Sequence, residues 1–294
     1  MKILLTGANG QVGRSVVMAL SNGGHELVAF NRQALDIGSA AAVSSAVQGA
    51  QPDLILNAAA YTAVDRAEEE VEQAYRVNRD GAAHLATAAL ELAVPLLHIS
   101  TDYVFDGSRE GHYLESDTVS PLGVYGQSKW EGEERVREIL PNHLILRTSW
   151  VFSPHGNNFV KTILRVAAER SELRVVDDQR GAPTSAAGIA GALLQIAEQL
   201  QTEGETRWGT YHFSGNPYVT WYDFALEIVR LGQVAGIIDH EVNIHPIPSS
   251  EYPTPVTRPS NSALSCERIE QHFGIVADPW IAQLQRVVET LQSR

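Results

Sequence analysis

Tyr125 and Lys129 are the two residues whose types and spacing most directly suggest catalysis in this sequence. They bound the run Tyr-Gly-Gln-Ser-Lys, so one turn separates them if the segment is helical. Reduction of a ketone requires hydride on the carbon and a proton on the oxygen. A tyrosine, whose pKa is ordinarily about 10, becomes a useful acid near neutrality when positive charge stabilises its phenolate. Because Lys129 can supply that charge, the pair predicts proton donation to a carbonyl oxygen.

A second hydroxyl group is expected close to this pair. The apolar run at residues 96–99 is typical of a buried strand, and it ends in Ser100-Thr101-Asp102. This places the Thr101 hydroxyl at the carboxyl edge of a sheet, where it can donate a hydrogen bond to the same carbonyl oxygen as Tyr125. The alternative interpretation is an ordinary polar cap at a strand edge.

Three glycines near the start of the chain predict a dinucleotide site. Gly7, Gly10 and Gly13 lie between the first predicted strand and the first predicted helix. In that context the first glycine permits a tight turn, the second lets the backbone approach a pyrophosphate, and the third lets helix and strand pack closely. A flexible turn with no ligand is the alternative.

The end of the second predicted strand bears on which nicotinamide cofactor is used. It reads Phe30-Asn31-Arg32, with no carboxylate to repel a 2′-phosphate and with a guanidinium next to it. This favours NADPH, with NADH also accepted, although Arg32 can equally be an ordinary surface arginine. Asp36-Ile37 follows in the next loop, where the carboxylate either binds an adenine amino group or caps a helix.

These residues need a scaffold of alternating strands and helices. Apolar periodicity predicts strands over residues 3–5, 26–30, 53–56, 96–99 and 144–146, with helices over 11–20, 40–47, 77–92 and 126–139. The order indicates an α/β fold, a doubly wound parallel sheet of Rossmann type. Residues 1–150 are the predicted dinucleotide-binding domain. Residues 151–294 are predicted to form most of a smaller, partly interleaved substrate domain, with helices over 159–168, 186–200, 221–231 and 281–291.

Composition narrows the class of protein. The chain has 294 residues, of which 44% are hydrophobic, which is enough for a substantial core. Its formal net charge of −13 disfavours nucleic acid as a partner. The single cysteine, Cys266, the lack of a signal-like apolar start and the lack of a long apolar run predict a cytoplasmic protein that does not enter a membrane.

Six segments together resemble the dTDP-4-dehydrorhamnose reductase family of the extended short-chain dehydrogenase/reductase superfamily. The glycine loop and the Tyr125/Lys129 pair are shared across the superfamily, whereas the strand end at 100–105, the turn at 156–159 and the segment at 258–262 are more specific to the reductases. The segments lie at residues 7–13, 57–65, 100–107, 125–129, 147–151 and 258–262. The resemblance covers nearly the whole chain and implies reduction of the 4-keto group of dTDP-4-dehydro-L-rhamnose to dTDP-L-rhamnose.

The resemblance also implies roles for individual residues. Tyr125 would be the proton donor, Lys129 would hold the nicotinamide ribose and lower the phenol pKa, and Thr101 would polarise the keto oxygen. The remaining cofactor contacts implied are Gly10, Gln11 and Val12 at the pyrophosphate, Asp36 and Ile37 at the adenine, and Ala60, Tyr61 and Thr62 at the centre. The substrate contacts implied are Thr101, Asp102, Trp150 and Arg258, the last as a diphosphate partner.

The sequence departs from the family at several positions. Some members bind Mg²⁺ at a dimer interface through carboxylates, but Ser15 and Ala187 stand where two of them would align. Because Mg²⁺ requires oxygen ligands and no zinc-type histidine spacing occurs, we predict no metal requirement. The protein is then expected to be a monomer or a homodimer. Asn31 replaces an acid of some relatives, in agreement with NADPH.

Two alternative functions remain open from the sequence. One is a different nucleotide-sugar enzyme, either another 4-ketoreductase or a 4-epimerase, which would retain its NAD between turnovers. The other is a non-catalytic NADP-binding regulatory subunit resembling the β-subunit of methionine adenosyltransferase.

Overall fold

A parallel sheet of six strands lies at the centre of the computed structural model, which describes residues 1–21, 23–202 and 207–293. The strands are β1 (Lys2–Thr6), β2 (Glu26–Phe30), β3 (Leu54–Asn57), β4 (Leu96–Thr101), β5 (His143–Thr148) and, later in the chain, β10 (Gly209–His212). Their order across the sheet is β10-β5-β4-β3-β1-β2, and every pairing is parallel. The predicted α/β class and doubly wound sheet are confirmed.

Helices cover both faces of this sheet because its strands are apolar on both sides. Ile3 and Leu5 of β1 pack with α1 (Gln11–Leu20) and α8 (Ala186–Thr202). Leu4, between them, packs with α2 (Ala40–Ala50), α5 (Gly81–Glu91) and α6 (Val124–Ile139) on the opposite face. Alternate side chains of a strand point to opposite faces of the sheet. The continuous apolar run of β1 therefore indicates that both faces are buried.

The chain changes direction across the sheet at β1. From β1 it continues to β2 on one side and then crosses to β3 on the other. In parallel sheets this kind of reversal leaves a crevice at the carboxyl ends of the strands, where ligands bind. The crevice is bordered by the ends of β1, β3 and β4, that is, by Thr6, Asn57 and Thr101.

The helix predicted over 77–92 begins earlier than expected and is not uniform. After the short helix α3 (Val64–Ala67), α4 (Val71–Tyr75) continues through a π-helical segment, Arg76–Asp80, directly into α5. π-Helical turns are rare and often occur at functional sites. Asn78 lies in the middle of this one and is buried.

A second apolar core supports the smaller part of the molecule. It is formed by α7 (Phe159–Glu169), α9 (Trp221–Val234) and α11 (Trp280–Gln292) with β7 (Glu172–Val176) and its parallel partner β12 (Asn243–Ile247). Two pairs of very short strands complete it: β6 (Val151–Phe152) with β9 (Thr184–Ser185), and β8 (Arg180–Gly181) with β11 (Val219–Thr220). The four helices predicted in this half are present.

The two parts of the chain are interleaved. β10 pairs with β5 in the central sheet, α8 packs on α1, and α10 (Glu267–Phe273) contributes to the same core. Residues 186–202, 209–212 and 267–273 therefore belong to the layers of the central sheet, although they follow residue 150. The strand at β10 was not predicted, because its four residues include only one large apolar side chain, Tyr211.

Candidate active site and cofactor groove

The glycine loop has the geometry that a phosphate-binding turn requires. Gly7 has a φ of +72°, and a Cβ at this position would lie 2.5 Å from the Ala58 backbone. A Cβ on Gly13 would lie 2.1 Å from the Gly7 carbonyl oxygen. Helix α1 begins after Gly10 with no side chain capping its first N–H groups. Those donors and the helix dipole therefore suit a pyrophosphate, as predicted for Gly10, Gln11 and Val12.

The side chain of Gln11 connects this loop to the smaller part of the molecule. Its Oε1 accepts hydrogen bonds from Ser153 Oγ at 3.0 Å and from Asn158 Nδ2 at 2.9 Å. Val12, by contrast, packs into the core below the loop. The side chains of Gln11 and Val12 are thus committed to structure, and only their backbone N–H groups are suited to a ligand.

A cavity of about 200 Å³ continues from the loop to the end of β2. Its walls include Gly7, Gly10, Arg32, Asp36, Ile37, Ala60 and Tyr61, which are predicted cofactor contacts. Arg32 is exposed at this cavity. Asn31 Oδ1 accepts hydrogen bonds from the N–H groups of Gln33 and Ala34, so its amide fixes the turn that presents Arg32. The cradle and its guanidinium fit an NADP cofactor.

Asp36 is held by the turn that follows. Its carboxylate accepts hydrogen bonds from Arg76 Nη1 at 2.9 Å and from the Gly38 N–H at 3.0 Å. Burial raises the pKa of Asp36, but the Arg76 and Gly38 hydrogen bonds outweigh it and leave the pKa below its ordinary value. The residue that caps α2 is Ser39. Asp36 is therefore an ionised acceptor beside Ile37, not the helix cap.

The central loop at Ala60, Tyr61 and Thr62 is positioned by a residue that the sequence analysis missed. Asn78 Oδ1 accepts from the Tyr61 N–H at 2.8 Å, and its Nδ2 donates to the Tyr61 carbonyl and to Ser128 Oγ. Asn78 thereby joins the loop to α6, one residue before Lys129. Gly132 of α6 permits this close approach, since a Cβ there would lie 2.1 Å from the Asn78 carbonyl oxygen.

Tyr125, Thr101 and Asp102 come together at the end of β4. Tyr125 stands in the first turn of α6, and its phenol is close enough to the Thr101 hydroxyl for that group to act on its pKa. Thr101 Oγ1 also donates to Asp102 Oδ1 at 3.0 Å. Burial raises the pKa of Asp102 to about 6, against the hydrogen bonds from Ser262 and Thr101. Three of the predicted site residues therefore form one cluster.

The expected lowering of the Tyr125 pKa by Lys129 is not found. Burial raises the pKa of Tyr125 to about 12; Thr101 opposes this shift, and the charge of Asp102 adds to it. The reason is the position of Lys129, whose Nζ donates to the Ile99 carbonyl oxygen at 2.6 Å. Burial also lowers the pKa of Lys129 to about 8, with Glu133 acting in the opposite direction.

A larger cavity of about 790 Å³ lies between α7, β7 and the segment 249–258. Arg258 lines it and donates from Nη2 to Asp65 Oδ2 at 3.0 Å. Trp221 also lines it and stacks on Trp150, with ring centroids 3.5 Å apart. The predicted substrate residue Trp150 is thus part of an indole pair. Arg174 and Asn158 are further polar lining residues that were not predicted as substrate contacts.

Two expected absences bear on metals and membranes. Among the described residues, no group of three or more histidine, cysteine, aspartate or glutamate side chains is placed to hold a metal ion. Ser15, which stands where some relatives have a metal-binding carboxylate, donates a hydrogen bond from its hydroxyl to the Gln11 carbonyl oxygen. None of the helices in residues 1–21, 23–202 and 207–293 has the length and apolar character of a membrane span. The lack of a metal requirement stays a prediction.

Comparisons with known proteins agree over the full length of the chain. The family model of the RmlD substrate binding domain matches residues 1–293. The dTDP-4-dehydrorhamnose reductase of Aggregatibacter actinomycetemcomitans is 45% identical, over 97% of this chain and 98% of that protein. Among solved structures, the reductase of Clostridium acetobutylicum has a TM-score of 0.92 at 38% identity, covering 99% of this chain and 100% of that one.

A further solved structure includes the cofactor. The dTDP-4-dehydrorhamnose reductase of Bacillus anthracis, in complex with NADP, has a TM-score of 0.88 at 35% identity, covering 97% of this chain and 98% of that one. The sequence identity and coverage, the glycine loop and the Thr101, Tyr125 and Lys129 side chains all indicate the same family. The chain therefore belongs to the dTDP-4-dehydrorhamnose reductase family.

Proposed function

We propose that this protein uses NADPH to reduce the 4-keto group of dTDP-4-dehydro-L-rhamnose, giving dTDP-L-rhamnose. The observation that carries the proposal is the cluster of Thr101 and Tyr125 at the carboxyl ends of the strands, with Lys129 one helical turn further. It lies at the same sheet edge as the glycine loop, where open α/β sheets bind their ligands.

Tyr125 is the proposed proton donor. A phenol with a pKa of about 12 is fully protonated at neutral pH, so it holds the proton that the keto oxygen needs. Thr101 is positioned to hydrogen-bond with the same oxygen, and it connects Tyr125 to Asp102. These residues orient the carbonyl and supply its proton.

The cofactor groove supplies the other half of the reaction. We assign the pyrophosphate to the N–H groups at Gly10, Gln11 and Val12, and the adenine to the cavity beside Asp36 and Ile37. Lys129 is assigned to the nicotinamide end, and Tyr61, which lines the same cavity as Asp36, to the centre of the cofactor. Bound NADPH provides hydride for the keto carbon. Because Thr62 lines the larger cavity, it is assigned to the border between cofactor and substrate.

The nucleotide part of the substrate is assigned to the larger cavity. Its polar lining includes Arg258 and Arg174, and guanidinium groups bind diphosphates through paired hydrogen bonds. In the structure Arg258 forms an ion pair with Asp65, so a bound diphosphate would have to replace that contact. Trp221, which stacks on Trp150, supplies an apolar wall for the sugar or base. Asp102, buried at the end of β4, is assigned as an acceptor for a sugar hydroxyl. The cytoplasmic location and the choice between monomer and homodimer stay predictions.

A coupled assay tests this proposal directly. The protein is given dTDP-4-dehydrorhamnose with NADPH or NADH, loss of reduced cofactor is followed optically, and the sugar product is identified. Consumption of the reduced cofactor together with formation of dTDP-L-rhamnose supports the proposal. Formation of a different sugar would indicate another ketoreductase, and a nucleotide that survives extensive dialysis would indicate an epimerase. No turnover, together with co-purification of a methionine adenosyltransferase, would indicate a regulatory subunit.

Arg32→Ala is expected to impair use of NADPH more than use of NADH. The exposed guanidinium at the adenine cavity suits a 2′-phosphate, which only NADPH carries. Loss of one charge-assisted contact corresponds to a rise of about 10-fold in the NADPH KM, with a change below about 2-fold for NADH. Steady-state kinetics with both cofactors measure this. Arg135→Ala, an exposed arginine on α6 paired with Glu138, is the control and should change neither KM. Equal effects of Arg32→Ala on the two cofactors would contradict the assignment.

A further inference from the structure

Four buried polar side chains form a continuous hydrogen-bonded row beneath the candidate active site. Thr6 Oγ1 lies 2.6 Å from Asn57 Oδ1, and Asn57 Nδ2 lies 2.9 Å from His98 Nδ1. His98 Nε2 in turn lies 3.3 Å from Lys129 Nζ. All four residues are at most 1% exposed, and three of them stand on the adjacent strands β1, β3 and β4. The row therefore ends on the lysine assigned to the cofactor.

The orientation of Asn57 is determined by its neighbours. Its Oδ1 accepts a hydrogen bond from the Ala59 backbone N–H at 3.1 Å, a group that can only donate. The hydroxyl of Thr6 donates to the same oxygen. The atom facing His98 is consequently the amide nitrogen, which also can only donate. His98 Nδ1 must accept this bond and therefore carries no proton.

The position of the remaining histidine proton follows. Burial, the largest influence, holds the pKa of His98 well below its ordinary value, so the ring is neutral. A neutral imidazole carries one proton, and with Nδ1 unprotonated this proton is on Nε2. The Nε2–H group then faces Lys129 Nζ. An ammonium nitrogen has no lone pair to accept it, whereas a neutral amine has one.

We propose that His98 is a positioning residue for Lys129: it donates a hydrogen bond from Nε2 to Nζ and thereby favours the neutral amine in the cofactor-free protein. The Nζ group still donates to the Ile99 carbonyl oxygen at 2.6 Å, as an amine can. Asn57 and Thr6 enforce the tautomer from the far side of the ring. The functional consequence rests on the proposed role of Lys129 at the cofactor, whereas the hydrogen-bond pattern does not.

Charged groups on α6 and β5 act on the His98–Lys129 pair. On α6, Glu133 favours the ammonium form, but it is shared by Arg137 of the same helix and Arg147 of β5. Arg137 and His143 of β5 both disfavour charge on His98. Burial is the largest influence on Lys129 and lowers its pKa to about 8. The charge of Lys129 therefore changes near pH 8, where a donor at His98 has a measurable effect.

Nuclear magnetic resonance of the cofactor-free protein tests the proposal without reference to activity. The chain has three lysines, Lys2, Lys129 and Lys161, so lysine labelled at the side chain gives three signals, and Lys129→Met identifies one. Histidine labelled with ¹⁵N reports the tautomer of His98, assigned with His98→Leu. We expect an unprotonated Nδ1 and a protonated Nε2, and a Lys129 that loses its charge below the ordinary lysine pKa of about 10.4. A protonated Nδ1 would overturn the proposal.

A variant gives the sign of the effect. His98→Leu removes the donor, so the pKa of Lys129 is expected to rise by about one pH unit, the shift that one ordinary hydrogen bond accounts for. If His98 instead accepted a bond from the ammonium, the same variant would lower this pKa, and the proposal would be wrong. His143→Leu is the matched control, because the His143 ring bonds to the Leu140 carbonyl oxygen and should leave Lys129 unchanged.

The pH dependence of the NADPH dissociation constant connects this inference to function. In His98→Leu the profile should move to higher pH by the same amount as the Lys129 signal, whereas a purely structural defect would weaken binding equally at all pH values. If the signals move and the binding profile does not, the inference about His98 stands and the role of Lys129 at the cofactor is wrong. If His98→Leu does not fold, the tautomer of His98 in the unaltered protein still tests the proposal.

Discussion

Tyr125→Phe is expected to lower turnover by about 10²-fold or more, which is the usual effect of removing a general acid. The phenylalanine keeps the ring, which packs edge to face on Tyr103 at 5.5 Å, so the shape of the cleft should persist. Only the phenol hydroxyl beside Thr101 is lost. The dissociation constant of NADPH should therefore stay nearly unchanged. Steady-state assays with dTDP-4-dehydrorhamnose measure turnover, and titration with NADPH measures the dissociation constant separately.

A matched control comes from another buried tyrosine. Tyr211 of β10 is fully buried and donates its hydroxyl proton to the Arg207 carbonyl oxygen at 2.7 Å, away from the cluster. Tyr211→Phe makes the same chemical change and should retain the turnover of the unaltered protein. Full activity of Tyr125→Phe would show that another group protonates the keto oxygen, and the assignment of the catalytic acid would then be wrong.

Glu133→Gln is expected to reduce the free energy of unfolding by about 3–5 kcal/mol, the range for breaking a buried ion pair by removing one partner. Glu133 accepts from Arg147 Nε at 2.9 Å and from Arg147 Nη2 at 2.7 Å, and both residues are at most 1% exposed. The substitution preserves the shape of the side chain but leaves the Arg147 charge buried without a counter-charge. Urea unfolding of both proteins measures the difference.

The control for this prediction is an exposed ion pair on the same helix. Glu138 bonds to Arg135 three residues earlier, and both side chains are more than half exposed. Glu138→Gln should change the free energy of unfolding by less than about 1 kcal/mol, because solvent screens such pairs. Equal losses in the two variants would mean that the contribution of Glu133 is not due to burial.

The Glu133 pair also gives stability a dependence on acid pH. Burial raises the pKa of Glu133, but the charge of Arg147 and its hydrogen bonds outweigh this and lower the pKa to about 2, from an ordinary value of 4.5. Because the folded pKa is the lower one, the ionised carboxylate stabilises the fold fully above pH 4.5. The difference between the unaltered protein and Glu133→Gln should therefore shrink as the pH falls from 4.5 towards 2. A difference independent of pH would contradict the ion-pair explanation.

The parts of this protein that could be predicted from the sequence depend on local patterns. The spacing of Gly7, Gly10 and Gly13 predicted the turn between β1 and α1, because only glycine fits where a Cβ would meet backbone. Apolar periodicity predicted five of the six strands of the central sheet and most of the longer helices, since the period of a pattern reflects the geometry of its own element. The spacing of Tyr125 and Lys129 placed both on the first turns of α6 for the same reason.

The tertiary structure alone decided how those elements meet. Gln11 is held by residues more than 140 positions away, and the Asn57–His98 bond spans 41 positions. No local pattern encodes such contacts, because they depend on which strands lie side by side. The same holds for the pairing of β10 with β5 and for the stacking of Trp150 on Trp221.

The protonation states and contacts of the catalytic groups are also decided by the tertiary structure. The sequence determined that a tyrosine and a lysine stand one turn apart, and with them the kind of chemistry. The tertiary structure decided that Lys129 Nζ bonds to Ile99 and faces His98, and that burial keeps the Tyr125 phenol protonated. A pKa reflects the solvent and charges that surround a group in three dimensions, and these surroundings come from strands far apart in the chain.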